Sequence, residues 1–307
     1  MNTIPNEFVL LNGEIRLALD AKISVFDGSI QYGYGLIETL RTYRGVFFAW
    51  NEHYLRLVRG CQQLHMKVPF SLEEGERYLL QLHQAYTKQD INCDGVYRMT
   101  VTPNLVLNWN TSQQTSFFIT RRELPSLPHD IHTTGIEVEV LQTLRAPSIT
   151  NERVKALHMT DLILARRELQ VKNPKAFEGL MLNSSQSIVE ATFSNLFAVL
   201  IDNQNNTPIL WTPSQEDGPL AGVTGGIVKD IARTVGLKVL ESTMKIEMLS
   251  QCREIFLTNS VHEIVPVQRV LSHGQQVFEN QERDFTVSHK IYRQYKQMVE
   301  SQVKISK

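Results

Sequence analysis

Cysteine is scarce in this chain: Cys61, Cys93 and Cys252 stand far apart, an odd number with no CxxC spacing. That excludes a disulfide framework and a cysteine-built zinc site, and it points to a reducing compartment. Excess charge is missing too. The 31 Lys and Arg against 32 Asp and Glu leave a net charge of −1, so nothing electrostatic draws the chain to nucleic acid or to an anionic membrane. Its basic residues come as pairs, Arg121-Arg122 and Arg166-Arg167, and not as patches. No apolar run reaches membrane-spanning length, and Met1 to Arg16 carries acidic residues where a signal peptide would be apolar. The expectation is a cytoplasmic protein that binds neither nucleic acid nor membrane.

Several catalytic signatures are absent as well. Nine histidines never fall in HxxxH or HxH spacing, which leaves a metal site without support. Ser184, Ser185 and Ser194 lack the GxSxG surround of a hydrolase nucleophile. Gly28, Gly33 and Gly35 have the wrong spacing for a dinucleotide loop and run into a strand. They read instead as a tight turn where backbone approaches closely. No internal repeat or low-complexity segment occurs.

What the chain does have is room and apolar content for a real core. Its 307 residues are enough for two ordinary domains, and 42% hydrophobic against 21% charged residues is a globular balance. Phe8–Leu11 and Glu14–Leu17 flank Asn12-Gly13, a strong hairpin signal. Residues 37–43 and 46–50 flank Arg44-Gly45 in the same way. Asn51 is placed to cap a helix whose apolar positions Tyr54, Leu57, Val58, Cys61 and Leu64 recur at helical spacing. A second helix is predicted over 72–87, with strands at 95–102 and 117–120. Arg122 to His132 holds two prolines and no periodicity, and is the best linker. Beyond it the pattern predicts strands at 136–144, 178–182 and 187–200. Helices are predicted at 161–171, at 224–235 closed by Gly236, and from Phe285 to about Met298. Hairpins mixed with helices indicate an α+β fold and not a doubly wound parallel sheet.

Two segments suggest anion cups. Leu257-Thr258-Asn259-Ser260-Val261-His262-Glu263-Ile264 reads as strand, small polar turn, strand, and such turns leave N–H groups able to close on an anion. Gly222-Val223-Thr224 opens a helix. Two phosphate-sized cups suit a phosphorylated cofactor better than a nucleotide. Glu190 is conspicuous inside the apolar strand Ile188-Val189-Glu190-Ala191, where a carboxylate must reach water or meet a cation. Lys155, by contrast, is one lysine among many.

In order, the segments Tyr32-Gly33-Tyr34-Gly35-Leu36-Ile37-Glu38-Thr39-Leu40-Arg41, Asn51 to Leu57, Lys155-Ala156-Leu157-His158, Val189-Glu190 to Phe197, Leu220-Ala221-Gly222-Val223-Thr224 and Thr258 to Val267 resemble the class IV pyridoxal-phosphate enzymes. That family holds branched-chain aminotransferases, D-amino-acid aminotransferases and aminodeoxychorismate lyases, and the resemblance runs from about residue 8 to residue 270. It implies the two-domain D-amino-acid aminotransferase-like fold, with an N-terminal domain over 1–121, a linker over 122–132 and a cofactor-binding domain over 133–307. It also implies pyridoxal 5'-phosphate and a homodimer.

By the same resemblance Lys155 would hold the cofactor and move the proton, and Glu190 would face the pyridine nitrogen so that the ring acts as an electron sink. Arg56, Val223, Thr224 and Ser260 would hold the phosphate. Arg98 matches an arginine of branched-chain aminotransferases and many lyases, and with Arg41, Tyr32 and Val261 would contact the substrate; Arg98 also reads as one half of a structural ion pair. Thr102 stands where D-amino-acid aminotransferases usually carry an arginine. His158-Met159 and Gly225-Gly226 replace the residues usual after the lysine and the phosphate-binding threonine. The turn at 258–264 is similar to that of several lyases, so the leading expectation is conversion of 4-amino-4-deoxychorismate to 4-aminobenzoate and pyruvate, a step of folate biosynthesis. The alternative is a class IV aminotransferase working on a branched-chain or other amino acid and a 2-oxo acid.

Overall fold

Alternating residues in the first half of the chain build one sheet with a packed face and a polar face. The computed structural model describes residues 7–88, 94–104, 114–148, 150, 152–202 and 204–305; Cys93 lies outside them. The chain divides into two units, one of Met1–Pro125, Val154–His158 and Ser301–Lys307, the other of Ser126–Arg153 and Met159–Glu300. Among the described residues no helix is long and apolar enough to cross a membrane.

In the first unit β1 (Phe8–Leu11) and β2 (Glu14–Leu17) form the expected hairpin. Asn12 and Gly13 both take positive φ, 50° and 89°, as a two-residue turn matched to strand twist requires. A short α1 (Gly28–Tyr32) leads into β3 (Leu36–Tyr43), which turns back as β4 (Val46–Phe47). Then follow α2 (Trp50–Gln63), α3 (Leu72–Thr87), β5 (Val96–Thr102) and β6 (Ser116–Arg122). The six strands run in the order β2-β1-β6-β5-β3-β4. Leu36, Leu40, Tyr97, Met99, Val101, Phe117 and Ile119 on one face join Trp50, Leu57, Cys61, Leu79 and Leu82 of the helices in a single core. The helix α3 falls where it was predicted, because Ser71 and Glu74 close a reciprocal capping box. Ser116 and Arg122 extend β6 beyond the predicted segment.

In the second unit α4 (Ile131–Thr134) precedes β7 (Ile136–Val140), α5 (Thr160–Lys172), β8 (Glu178–Leu182), β9 (Ile188–Ala191) and β10 (Asn195–Ile201). Next come β11 (Pro208–Thr212), α6 (Val223–Thr234), β12 (Lys238–Glu241), β13 (Glu254–Asn259), β14 (Glu263–Ser272), β15 (Gln275–Glu279) and α7 (Thr286–Ile305). The nine strands form one mixed sheet, ordered β12-β11-β10-β13-β14-β7-β8-β9 with β15 on β14. Antiparallel and mixed sheets with hairpins make the fold α+β, as the pattern indicated.

Other boundaries differ from the sequence reading as well, and β7 ends at Val140 where a strand was predicted to residue 144. Trp50 belongs to α2 and not to a strand, and the helix is entered from Ala49 in a left-handed turn, so Asn51 is not the cap. The indole Nε1 of Trp50 donates to Leu72 O at 3.0 Å, which fixes that residue in the helix pair. The strand expected over 187–200 is broken between β9 and β10. There Glu178 collects Thr192 Oγ1, Phe193 N and Ser194 Oγ on its buried carboxylate. Finally, α7 runs past Met298, because Ile291, Tyr295, Val299 and Val303 carry the buried stripe onward at a spacing of four.

Candidate active site

In the second unit the residues flagged by sequence converge. Glu190 sits opposite Met181 in the β8–β9 ladder and is 5% exposed. A buried carboxylate is tolerable only with partners, and it has three donors. Arg145 Nε donates to Oε1 at 2.7 Å, while Leu220 N at 3.0 Å and Asn195 Nδ2 at 3.4 Å donate to Oε2. Of the two outcomes left open for Glu190, water or a cation, the structure shows a cation, Arg145, which was not singled out. Arg145 Nη1 also donates to Asp161 Oδ2, and its backbone N is tied to Leu182 O at 2.8 Å. Burial works against the Arg145 charge, but Glu190 and Asp161 outweigh it and raise its pKa further. Burial likewise opposes the charged form of Asp161, and Arg145 overrides it and holds that carboxyl below its ordinary range.

The same neighbourhood contains the helix N-terminus. A Cβ on Gly222 would lie 1.9 Å from Asn195 Oδ1, so only glycine fits at the cap of α6. Gly222 has no side chain to satisfy the first N–H groups of the helix, those of Val223 and Thr224 among them, and such an end favours an anion. Gly225 is held to a small residue by the same Asn195, whose Oδ1 would lie 3.1 Å from an added Cβ. Asn195 pairs with Thr258 across β10 and β13, so the two side chains share a sheet face. Thr258 is 2% exposed and, among the described residues, its hydroxyl has no hydrogen-bond partner. An unsatisfied buried hydroxyl beside an uncapped helix N-terminus fits a phosphate group. The following turn is shaped by Asn259, whose Oδ1 accepts from Val261 N at 2.8 Å and His262 N at 2.7 Å. That bond pattern presents Ser260 and Val261 at the tip. Glu263, next in the chain, has φ +64° and is held by Lys296 Nζ at 2.9 Å.

The first unit gathers a different set. Lys155 lies on the short return 154–158, where its O accepts from Ile37 N at 2.9 Å and Leu157 N donates to Gly35 O at 2.8 Å. Beside it Glu38 binds Arg56 through Nε at 2.8 Å and Nη2 at 2.7 Å, and His53 Nδ1 at 2.7 Å. Burial opposes the Glu38 charge, but Arg56 and His53 prevail and hold its carboxyl at about 2. Burial pushes the His53 pKa down against the pull of Glu38, with Arg56 and Lys155 adding to the shift. Arg56 is thus oriented by a buried carboxylate.

The polar face of the first sheet carries the other candidates. Thr39, Arg98 and Thr120 are cross-strand neighbours, as are Arg41, Val96 and Arg122, so three arginines occupy one corner. Partial desolvation and the charge of Arg122 lower the Arg98 pKa. Arg41 also lies over the Tyr43 ring at 4.4 Å. Tyr32, 58% exposed, ends α1. Two positions weighed from sequence are structural. Thr102 donates its hydroxyl to the buried Asp27 at 2.7 Å, and the Tyr34 hydroxyl donates to Leu64 O.

Sequence reasoning missed Arg145, Asn195, Thr258 and Glu38. A partial signal existed for the first: Glu190 had to reach water or meet a cation, and Arg145 is the charged residue of the short run Leu144-Arg145-Ala146-Pro147. Thr258 lay in the flagged turn and Asn195 in a matching segment, but only strand register makes them neighbours.

The chain is similar to known proteins along most of its length. The family model for class IV amino-transferases matches residues 35–270. A Methanocaldococcus jannaschii protein provisionally assigned as a branched-chain-amino-acid aminotransferase is 29% identical over 84% of this chain and 86% of its own. The D-alanine aminotransferase of Listeria monocytogenes is 27% identical, covering 85% and 87%. The aminodeoxychorismate lyase of Bacillus subtilis is also 27% identical, covering 87% and 89%. Among solved structures, a branched-chain aminotransferase of Thermoproteus uzoniensis superposes with TM-score 0.80 at 23% identity, over 96% of this chain and 95% of the other. The 4-amino-4-deoxychorismate lyase of Pseudomonas aeruginosa gives 0.77 at 25% identity, over 94% and 98%. The lyase that led the sequence reading is one relative among several, and aminotransferases stand beside it. The chain belongs to the class IV aminotransferase family, whose members use pyridoxal 5'-phosphate.

Proposed function

We propose that the protein is an aminotransferase that exchanges an amino group between an amino acid and a 2-oxo acid, acting as the homodimer the family resemblance implies. One observation carries this reading: a buried carboxylate, Glu190, lies beside a helix N-terminus that lacks a side-chain cap, in a chain whose relatives include aminotransferases. When bound, pyridoxal phosphate supplies an aldehyde to capture an amine and a ring to take up the electron pair of the broken C–H bond. The chain supplies the rest. By the family resemblance, Glu190 would face the ring nitrogen. The N–H groups of Val223 and Thr224, the turn at Ser260, the Thr258 hydroxyl and Arg56 would hold the phosphate. Lys155 would provide the amine that anchors the cofactor and would move the proton at Nζ. Arg98 and Arg41 take the substrate carboxylate, with Tyr32 and Val261 against the side chain.

A second reading has its own support. The corner of Arg41, Arg98 and Arg122 suits a substrate with two carboxylates, and 4-amino-4-deoxychorismate has two. One pair of assays separates the readings. Conversion of the bound cofactor to its amine form, seen by absorbance on adding an amino acid, is the expected result. Pyruvate release from 4-amino-4-deoxychorismate without any amino acceptor, and no such conversion, would replace the transaminase with the lyase. In both cases Lys155→Ala should abolish turnover and the borohydride-fixed absorbance.

A further inference from the structure

Glu190 is held in a charge cluster whose balance bears on the atom it faces. Arg145 touches both Glu190 and Asp161. Arg153 donates to Gly218 O and Ala146 O, and burial together with the charge of Arg145 lowers its pKa against the pull of Glu190 and Asp161. The cluster therefore holds two guanidiniums and two carboxylates, and is neutral before any cofactor enters. The hydrogen bonds on Glu190 are also unequal. A carboxylate offers about two acceptor sites on each oxygen. Oε2 receives Leu220 N and Asn195 Nδ2, whereas Oε1 receives Arg145 Nε.

We propose that Arg145 is a positioning residue that shares Glu190 Oε1 with the cofactor's ring nitrogen, and that its charge, partly offset by Asp161, lowers the proton affinity of that nitrogen. The inference rests on the reading that Glu190 faces the ring. The physical cause is simple. A ring proton held on Oε1 sits next to a fixed cation, and like charges at that distance destabilise the protonated form. Only a proton moves: it leaves the ring nitrogen for water, and no bond to carbon is involved. Asp161 tempers the effect, because it neutralises part of the Arg145 charge. Arg153 adds a second positive charge, and the neutral donors Leu220 N and Asn195 Nδ2 hold the second oxygen in place.

The test uses holoenzyme loaded with pyridoxal phosphate labelled with nitrogen-15 in the ring, its resonance followed from pH 6 to pH 10. In Arg145→Gln the midpoint for loss of the ring proton should rise by about one unit or more relative to wild type. In Asp161→Asn it should fall, since the cation is then less offset. Glu190→Gln serves as the control on the underlying reading: if it leaves the resonance unmoved, Glu190 does not face the ring and that reading fails. If Glu190→Gln shifts the resonance while Arg145→Gln leaves the midpoint unchanged or lowers it, the reading stands and the proposal for Arg145 is overturned. Should Arg145→Gln fail to fold, with two buried carboxylates left uncompensated, Asp161→Asn decides alone. A midpoint unchanged in that variant, or a ring that stays protonated to pH 10 in both wild type and Asp161→Asn, overturns the proposal.

Discussion

Thr258 shows how much one oxygen atom can reveal. A buried hydroxyl without a partner costs about 1–3 kcal/mol, and Thr258 carries such a hydroxyl opposite Asn195 and beside the open end of α6. Valine is close to threonine in shape and lacks the polar atom. Thr258→Val is therefore expected to stabilise the protein stripped of cofactor by about 1 kcal/mol in denaturant unfolding. The same variant should bind pyridoxal phosphate about fivefold to tenfold more weakly, since losing a hydrogen bond of about 1 kcal/mol has that effect on a dissociation constant. A valine variant that is less stable, with cofactor affinity intact, would remove Thr258 from the phosphate set. None of this is readable from sequence, where Thr258 is one small residue in a polar turn. Glu190 was readable in part, because a carboxylate in an apolar strand states a need. Lys155 was not readable physically at all. Family resemblance singled it out, and its environment arises from a return to β3 that no local pattern announces.

Among the elements, hairpins and capped helices were legible because their signals are local. Asn12-Gly13 fixes a turn by dihedral preference, and Ser71 with Glu74 fixes a helix start by reciprocal hydrogen bonds. The start of α2 and the break between β9 and β10 were not legible, because distant residues determine them. Leu72 anchors the Trp50 indole, and Glu178 pulls residues 192–194 out of strand geometry. Packing between α2 and α3 supplies a test with an unusual sign. Glycine to alanine in a helix interior normally stabilises by about 1 kcal/mol. At Gly75 the added Cβ would lie 2.4 Å from Trp50 Cζ2 and 2.9 Å from Phe70 Cε2, both ring atoms of the core. Overpacking of that kind costs about 1–3 kcal/mol. Gly75→Ala should therefore destabilise the protein, by up to about 2 kcal/mol after the helix gain is subtracted. Thermal unfolding followed by circular dichroism checks it, and a raised Tm would mean that α2 and α3 separate more easily than their packing suggests.

Across the whole molecule the two units differ in how their buried titratable groups respond to acid. In the first unit Glu38 is held at about 2, and burial lowers His53 and His83. Lowered histidine and carboxyl values act in the same sense. Each group adds stability above its unfolded pKa, and that stability is lost as pH falls, from about 6.5 for the histidines and from about 4.5 down to about 2 for Glu38. In the second unit burial raises Glu178 and Glu254, against the hydrogen bonds each accepts. Raised carboxyl values work in the opposite direction: their contribution is full below the unfolded pKa near 4.5 and is lost as pH climbs through the folded value. Asp161 and Glu168 are lowered, but their contribution is lost only at pH values near or below their ordinary carboxylate range. Among the described residues, burial also lowers His132 in the second unit, as it lowers His53 and His83 in the first. Acidification from pH 7 to pH 5 should therefore loosen the first unit before the second. Hydrogen exchange read by mass spectrometry follows each separately. Protection in β3 and α2, around Glu38 and His53, is expected to fall before protection in β8 and β13, around Glu178 and Glu254. If β8 and β13 open first, then the buried carboxyls of the second unit are ionised at neutral pH, and the hydrogen bonds from Thr192, Ser194 and Ser288 outweigh the cost of their burial.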